Sequence, residues 1–509
     1  MDADEAEALM DSQRVARLSA GLRQSCLIRQ PWTCAAKTLC LAALVGAALV
    51  LRRFAHPTIS RAAEPLMAAR EFDTSGVDAA GQEFLAKIQQ IKQGPQTRSP
   101  TPEKVAKTEH KHKRSPSHPS KVQNITDGAR RSKRNASVLE GRYSSHFKCQ
   151  SDMTYDFVVA SGQKGLTLDD TTFSECPSLA TKSWPNTKTG LSSIRLFKAW
   201  DKSWPDGARL TAWDQLATVV QQGGMEVLVG TQVTCDEADD DRDWRLVLEL
   251  LQKLGRKHVM GIAVGNELEL LQYKKGISQD CMTRMWQGGY FLRKLSERAA
   301  DLDKLPGFSD VRLTSVFGGY ILSGSPFVET PKAMVLTFLT EAVKRFGSRW
   351  VFTLNIYPYF DPSNALDPGT TDRCTRSLKT ALCFTDDTCN LPATVSRMRK
   401  RMQLLTGKDS ILWLGETGWS SPQASTLAGS NPEMAKCGAF SSDISLKQFY
   451  SNFLAWRLDL DVEKGPDHVF YFTARDSGNF GVEEHFGLIS DCDTKKCKLQ
   501  LARQDQVVV

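Results

Sequence analysis

The order of short apolar runs and amphipathic stretches is the feature that most strongly limits the folds that this 509-residue chain can adopt. From residue 155 onward, runs rich in apolar and β-branched residues alternate with longer stretches whose apolar residues recur at helical spacing. The predicted strands are residues 155–161, 193–197, 226–230, 259–265, 311–316, 352–357, 411–415 and 468–473. The predicted helices include residues 211–222, 244–254, 285–300, 332–346, 391–405 and 444–458. This alternation predicts an α/β fold, a (β/α)8 TIM barrel with insertions.

A doubly wound open sheet is the alternative fold for the same alternation. Its dinucleotide-binding form needs a G-x-G-x-x-G sequence that opens a helix after the first strand. The chain has no such sequence at that place. We therefore favour the barrel and expect no nucleotide cofactor.

The net charge of +7 is concentrated in one segment. Residues 92–134 contain 12 Lys and Arg against 3 Asp and Glu, an excess of +9 that leaves the rest of the chain near −2. This basic segment has no interleaved aromatic residues and no recognised module, so we expect no nucleic-acid partner. Ten of the 13 Cys lie from Cys149 onward, an even number that is typical of disulfides in an oxidising compartment.

Those cysteines leave the connectivity open. Cys383 with Cys389 and Cys492 with Cys497 are close enough in sequence for local bridges. Clustered cysteines also bind zinc, but the chain has no C-x-x-C pair or matching His spacing, and we expect no metal site.

The N-terminal part has the features of a membrane anchor. Residues 38–51 are uncharged and nearly all apolar, although these 14 residues are fewer than the ~20 of a typical spanning helix. We expect a signal anchor or transmembrane segment at 34–53 after a cytosolic tail at 1–33, with a cleaved or bipartite targeting peptide as the alternative. Residues 54–148 then form a linker rich in Pro, Ser, Lys and Arg, which we expect to be disordered. A catalytic domain at 149–500 and a tail at 501–509 complete the chain.

Two features of the linker indicate a lumenal or extracellular domain beyond it. Asn124 and Asn135 begin N-glycosylation sequons. The Arg-Ser-Lys-Arg run at 131–134 fits a dibasic processing site, so cleavage there would release the domain. We expect a membrane-anchored protein, or a secreted one after processing, whose catalytic domain acts as a monomer.

Two glutamates follow predicted strands at the positions where barrel enzymes place catalytic groups. Glu267 ends the fourth strand region (VGNE at 264–267), and Glu416 follows the seventh (LWLGETGWS at 412–420). Retaining glycosidases use two carboxyl groups ≈ 5–5.5 Å apart, one as nucleophile and one as acid/base. We assign Glu416 as nucleophile and Glu267 as general acid/base. We expect ionised Glu416 to raise the pKa of Glu267, which keeps its proton until the glycosyl-enzyme forms.

The blocks VGNE, LNIYPYF at 354–360, LWLGETGWS and EEHFGL at 483–488 resemble glycoside hydrolase family 17, the β-1,3-glucanases and glucan transglycosylases. The resemblance implies a barrel, retention of configuration, a β-glucan polysaccharide substrate and no cofactor. It also implies that Asn266 holds the sugar 2-hydroxyl and that Tyr357 faces the nucleophile. By the same match, Trp419 stacks on a sugar ring and Glu484 supports the site.

The chain departs from the family pattern at three places. The first predicted strand lacks the usual Gly/Tyr motif, and Phe197 stands where the family commonly has tyrosine. The segment after the eighth strand lacks the Glu and Lys expected near Asp476. These differences leave the exact glucan linkage open.

Trp200 and Trp204 follow the second predicted strand. They either form a sugar-stacking platform or anchor their loop as buried indoles. Endo-β-1,3-glucan hydrolysis, glucan transglycosylation and a glucan-binding protein that has lost turnover remain the three functional alternatives.

Overall fold

The computed structural model describes residues 158–273, 276–319, 321, 334–360, 372–458, 464–477, 485–492 and 498–499. The predicted anchor and linker, with both sequons and the dibasic run, lie outside this range, as does the C-terminal tail. Within it, no helix combines the length and the apolar composition that crossing a bilayer requires.

Eight parallel strands of the described residues close into a barrel in chain order. The strands are β1 (Lys164–Leu168), β2 (Ser193–Leu196), β3 (Glu226–Thr231), β4 (Val259–Asn266), β5 (Arg312–Gly318), β6 (Trp350–Asn355), β7 (Leu412–Thr417) and β8 (His468–Tyr471). Each strand pairs with the next, and β8 pairs with β1, which leaves no sheet edge. The predicted (β/α)8 barrel is therefore confirmed.

The helices of the described residues follow the strands. They are α1 (Asp170–Glu175), α2 (Asp206–Gly223), α3 (Glu237–Leu254), α4 (Gln279–Trp286), α5 (Tyr290–Lys304), α6 (Met334–Phe346), α7 (Arg373–Leu382), α8 (Asn390–Thr406), α9 (Leu427–Ser430), α10 (Pro432–Ala435) and α11 (Asp443–Ala455). The helix predicted at 285–300 is divided between α4 and α5. Gly289 caps α5 at φ 68°, in the left-handed region that glycine adopts without strain.

The first predicted strand is wrong. Residues 158–161 of the predicted run are not a strand, and the first strand is Lys164–Leu168 instead. Its Lys164 is fully buried because Nζ donates to the carbonyls of Leu454 (2.8 Å) and Trp456 (2.7 Å) at the end of α11. The hydrogen-bond acceptors of Lys164 lie about 290 residues away in the sequence. Local composition therefore cannot identify this lysine as a buried strand residue. The absence of the family's Gly/Tyr motif was inferred from residues 155–161, whereas the first strand is Lys164–Leu168.

The core lies between strands and helices, and a separate cluster fills the barrel. Six residues from β3 to β8 form this inner cluster: Leu228, Ala263, Val316, Val351, Trp413 and Phe470. Such layers of side chains are typical of TIM barrels, whose interior is packed and whose active site lies at the C-terminal ends of the strands.

Four disulfides link the described residues. They are Cys176–Cys492, Cys235–Cys281, Cys374–Cys437 and Cys383–Cys389. The local bridge between Cys383 and Cys389 is present, whereas Cys492 pairs with Cys176, 316 residues away, and not with Cys497. Several disulfides are typical of an extracellular or secreted protein.

Candidate active site

Irregular strand pairing occurs beside both candidate glutamates. The pairing of β4 with β5 shifts register between Ala263 and Asn266, just before Glu267. The pairing of β7 with β8 shifts between Leu414 and Thr417, which brackets Glu416. Such bulges change the direction in which a side chain projects from a sheet. Both irregularities lie at the C-terminal ends of their strands, where Glu267 and Glu416 are located.

The backbone at Glu267 adopts a conformation that is rare for residues other than glycine. Its φ is 50°, and its N–H donates to the carbonyl of Val316 on β5 (2.8 Å). Strained backbone of this kind costs of order 1–3 kcal/mol and is concentrated at functional sites. The strain places the half-buried Glu267 side chain at the end of β4, next to the ends of β5 and β6.

Arg195 is the charged centre of the site. It lies on β2, is 1% exposed and donates from Nη1 to Glu416 Oε1 (2.9 Å). Its Nη2 donates to Asn266 Oδ1 (2.7 Å). The guanidinium group therefore neutralises the buried Glu416 carboxylate and fixes the Asn266 side chain at the same time. A buried charge needs such a partner.

Asn355 connects the two candidate carboxyl groups. At the end of β6, its Nδ2 donates to Glu267 Oε1 (2.9 Å) and its Oδ1 accepts from Arg195 Nη1 (3.4 Å). Because Arg195 also binds Glu416, one amide and one guanidinium join Glu267 and Glu416 into a single polar cluster.

Tyr357 adds a second donor to Glu416. Its hydroxyl donates to Oε2 at 2.6 Å, so the two oxygens of Glu416 bind different partners. The carboxylate is held in one orientation as a result.

Gly415 leaves room for this cluster. A Cβ at Gly415 would lie 2.8 Å from both Arg195 Nη1 and Asn355 Oδ1. The glycine that precedes Glu416 is thus required by close approach.

A third carboxyl group lies beside the cluster. Glu269 is 1% exposed and accepts from the backbone N–H of Gly318 at the end of β5 (2.5 Å). Burial, and secondarily the negative charge of Glu267, raises the pKa of Glu269 to about 8. Glu269 is therefore mostly protonated at neutral pH.

The sequence interpretation missed Arg195, Asn355 and Glu269. Arg195 had a usable signal, since an arginine inside a barrel strand must find a charged partner. Asn355 lies within the quoted LNIYPYF block, and Glu269 comes two residues after Glu267. Nothing local separates either of them from ordinary polar residues.

Trp419 does not lie where a sugar can stack on it. It is 0% exposed, its Nε1 donates to the carbonyl of Phe440 (2.7 Å), and its ring packs against Tyr359 and Phe449. The expected stacking role is wrong for this conformation, because partners distant in sequence cover the ring.

The two tryptophans after β2 have different environments. Trp200 is 1% exposed and packs edge-on against Trp204 with ring centroids 5.0 Å apart. Trp204 is half-buried. Trp200 is therefore the loop anchor of the second alternative, and Trp204 retains accessible surface.

The remaining expected features lie around β8. Glu484 is outside the described residues. Asp476, which lacks a nearby lysine in sequence, binds Lys498 Nζ at 2.6 Å. The lysine comes from a segment 22 residues further along the chain.

Comparisons with known proteins find only distant structural similarity. No family model matches the chain, and no curated protein matches it. Among solved structures, the chain is similar to an active-site mutant of a Rhizomucor miehei β-1,3-glucanosyltransferase in complex with laminaritriose (15% identity, TM-score 0.38, 66% of this chain and 98% of that one). It is also similar to a rice β-glucosidase (10%, TM-score 0.36, 70% and 96%) and to a Marinomonas β-galactosidase (12%, TM-score 0.36, 66% and 58%). Identities this low do not transfer an activity.

Proposed function

We propose that this protein is a retaining glycoside hydrolase acting on β-1,3-glucan, with Glu416 as nucleophile and Glu267 as general acid/base. The observation that supports this proposal best is the polar cluster that joins Glu267, Asn355, Arg195 and Glu416 at the ends of four strands. The substrate class rests on the resemblance of the motif blocks to family 17.

In the first step, Glu416 attacks the anomeric carbon. The bond from that carbon to the glycosidic oxygen breaks, Glu267 gives its proton to the departing oxygen, and a glycosyl-enzyme ester forms on Glu416. Arg195 Nη1 lies 2.9 Å from Glu416 Oε1, so a positive charge stands beside the attacking carboxyl group. Tyr357 and Arg195 occupy separate oxygens and so orient the carboxylate for attack.

In the second step, Glu267 acts as base. It takes a proton from water, or from a sugar hydroxyl, which attacks the anomeric carbon and releases Glu416. Glu267 Oε1 accepts a hydrogen bond from the neutral amide of Asn355. Such a donor can bind the carboxyl group in both its protonated and its ionised form. Asn266 contacts the sugar 2-hydroxyl in this proposal, which is supported by the family resemblance and by the hydrogen bond that Arg195 donates to its Oδ1.

Product analysis tests this proposal. Wild-type protein and reduced laminari-oligosaccharides should give shorter chains by mass spectrometry, and the first products should have the β configuration by NMR. Chains longer than the input would establish transglycosylation by the same residues. Products from β-1,4-glucan alone would contradict the assigned linkage.

Variants test the assigned roles. We expect Glu267→Gln to lower kcat by about 10²–10⁴-fold on oligosaccharides, and by less on an aryl glycoside whose leaving group needs no proton. We expect Glu416→Gln to abolish turnover on both substrates. Glu226→Gln is the matched control, because Glu226 is an exposed glutamate at the start of β3, at the opposite end of the barrel. Equal loss in all three variants would contradict the assignment, and glucan binding without turnover by wild type would indicate a binding protein.

We also propose that residues 34–53 anchor the protein and leave the barrel lumenal or extracellular. The four disulfides support the oxidising compartment. Glycosylation of Asn124 and Asn135, seen as a mobility shift after endoglycosidase treatment, tests this topology. Unmodified Asn124 and Asn135 in protein from a secretory host would argue against it.

A further inference from the structure

Lys498 holds together three segments around the C-terminal end of the barrel. Its side chain is 8% exposed. Its Nζ donates to the carbonyl of Ser421 (2.5 Å), to Asp476 Oδ1 (2.6 Å) and to the carbonyl of His485 (3.1 Å). Ser421 follows β7 and Asp476 follows β8, so one ammonium group connects the two loops that flank Glu416.

Asp476 extends this connection to the residues around Phe486. Its Oδ1 also accepts from the N–H of Gly487 (2.8 Å). A Cβ at Gly487 would lie 2.0 Å from Asp476 N, so only glycine permits this approach. Because His485 binds Lys498 and Gly487 binds Asp476, the backbone is fixed on both sides of Phe486.

Phe486 in turn contacts the side chain that orients Glu416. Its ring packs against the Tyr357 ring with centroids 5.2 Å apart. The Tyr357 hydroxyl donates to Glu416 Oε2 at 2.6 Å. A continuous series of contacts therefore leads from Lys498 to the candidate nucleophile.

Further contacts attach the segment of Lys498 to the barrel. The N–H of Lys498 donates to the carbonyl of Leu488 (2.8 Å), and Leu499 is fully buried. The Cys176–Cys492 disulfide ties the preceding residues to the end of α1, which follows β1. Lys498 thus acts from a fixed position.

We propose that Lys498 is a positioning residue of the active site, which sets the orientation of Tyr357 and Glu416 through Asp476 and Phe486. The inference rests on the proposed catalytic role of Glu416. Nothing in the local sequence around Asp476 indicates this lysine, because it is supplied by a segment near the end of the chain.

Removing Lys498 has two separable consequences. Lys498→Met loses the three hydrogen bonds and leaves Asp476 buried without its cation. Asp476→Asn/Lys498→Met removes both charges, so it loses the connection between loops without burying an unpaired carboxylate. Lys164→Met is the matched control, because Lys164 is also a buried lysine bound to two carbonyls, but at the other end of the barrel.

Kinetics and NMR of these variants test the proposal below their unfolding temperatures. We expect the double variant to lower kcat on laminari-oligosaccharides by about 10- to 100-fold, the effect of displacing a reacting group by up to about 1 Å. KM should change by less than about threefold, and Lys164→Met should keep the wild-type kcat. The ¹³Cζ resonance of Tyr357, assigned with Tyr357→Phe, should shift in the double variant and stay in place in Lys164→Met.

The outcomes separate this inference from the proposed function. A double variant with wild-type kcat would mean that the single variant is harmed by Asp476 without its cation, and not by the lost connection between the loops. That result would overturn the positioning role. An unshifted Tyr357 resonance would overturn it even without turnover. A wild type that processes no β-glucan would refute the proposed function, while the Tyr357 resonance would still decide the role of Lys498.

Discussion

The two ends of the barrel bury charged and titratable groups in different ways. At the N-terminal end, Lys164 donates to two backbone carbonyls and lies over the Phe453 ring, and His468 binds the Ser193 hydroxyl (2.7 Å). At the C-terminal end, Arg195 and Glu416 form an ion pair that Asn355 extends to Glu267.

The pKa values of the buried groups at the N-terminal end show the effect of burial without a counter-charge. Burial alone lowers the pKa of Lys164 to about 7 and that of His468 to about 3, so these groups are driven toward their neutral forms. Glu416 instead has a cation at 2.9 Å. Buried polar groups at the N-terminal end therefore bind backbone carbonyls or a hydroxyl, whereas those at the C-terminal end keep opposite charges in contact.

Removing one buried cation from each end should give the largest contrast. We expect Arg195→Met to lower kcat by about 10²–10³-fold, the size of losing one preorganised charged donor. It should also cost about 3–5 kcal/mol of unfolding free energy, because Glu416 is left buried without its cation and keeps only the Tyr357 hydroxyl. Lys164→Met should cost about 1–3 kcal/mol, because the Trp456 carbonyl loses its lysine donor while the Leu454 carbonyl keeps the Val159 N–H, and it should leave kcat unchanged. Kinetics and urea denaturation measure both effects, and equal losses of kcat would remove the distinction between the ends.

How much of this contrast the sequence predicts depends on how far apart the interacting residues lie along the chain. Glu267 and Glu416 could be proposed from the sequence because each follows an apolar strand and a nearby glycine within its own local segment. Arg195 was missed because its partners lie on β4, β6 and β7, up to 221 residues away. Lys164 misled the strand assignment for the same reason.

Aromatic and cysteine contacts show the same dependence on sequence separation. The family resemblance implied that Trp419 stacks on a sugar, but Phe440 and Phe449 from later segments cover it. Cys383 and Cys389 form the local pair, whereas the partner of Cys492 lies 316 residues away. The local sequence pattern predicts strands and the residues at their ends. Which residues distant in sequence come into contact is determined only when the barrel closes.

The pH dependence of stability should have opposite signs at the two ends. The folded pKa of Glu269 is raised from 4.5 to about 8, so its contribution to unfolding free energy falls as pH rises through that interval. The folded pKa of His468 is lowered from 6.5 to about 3, so its contribution rises between those values. Relative to wild type, Glu269→Gln should gain stability from pH 4.5 to 8, and His468→Gln should lose it from pH 3 to 6.5.

Urea denaturation at several pH values measures these differences. Glu226→Gln is the control, because Glu226 is exposed and its replacement should leave the pH profile unchanged. Parallel profiles for Glu269→Gln and wild type would show that Glu269 is not held in its protonated form.

The tryptophans after β2 should show the smallest effect. We expect Trp204→Ala to raise KM for laminari-oligosaccharides by about 2- to 10-fold, the equivalent of one aromatic contact of 0.5–1.5 kcal/mol, with kcat unchanged. Trp200→Phe, a change within the core, should lower the unfolding temperature and leave KM as it is. Steady-state kinetics and thermal denaturation distinguish the two residues, and an unchanged KM in Trp204→Ala would exclude a sugar platform there.

Trapping the glycosyl-enzyme tests the central claim most directly. A 2-deoxy-2-fluoro-laminaribiosyl fluoride slows the second step more than the first, so a retaining enzyme accumulates the ester. We expect the intact mass to rise by one 2-deoxy-2-fluoro-laminaribiosyl group and peptide sequencing to place the adduct on Glu416 in wild type and in Glu226→Gln. An adduct on another residue, or wild type that turns over laminari-oligosaccharides with inversion and forms no adduct, would contradict the account.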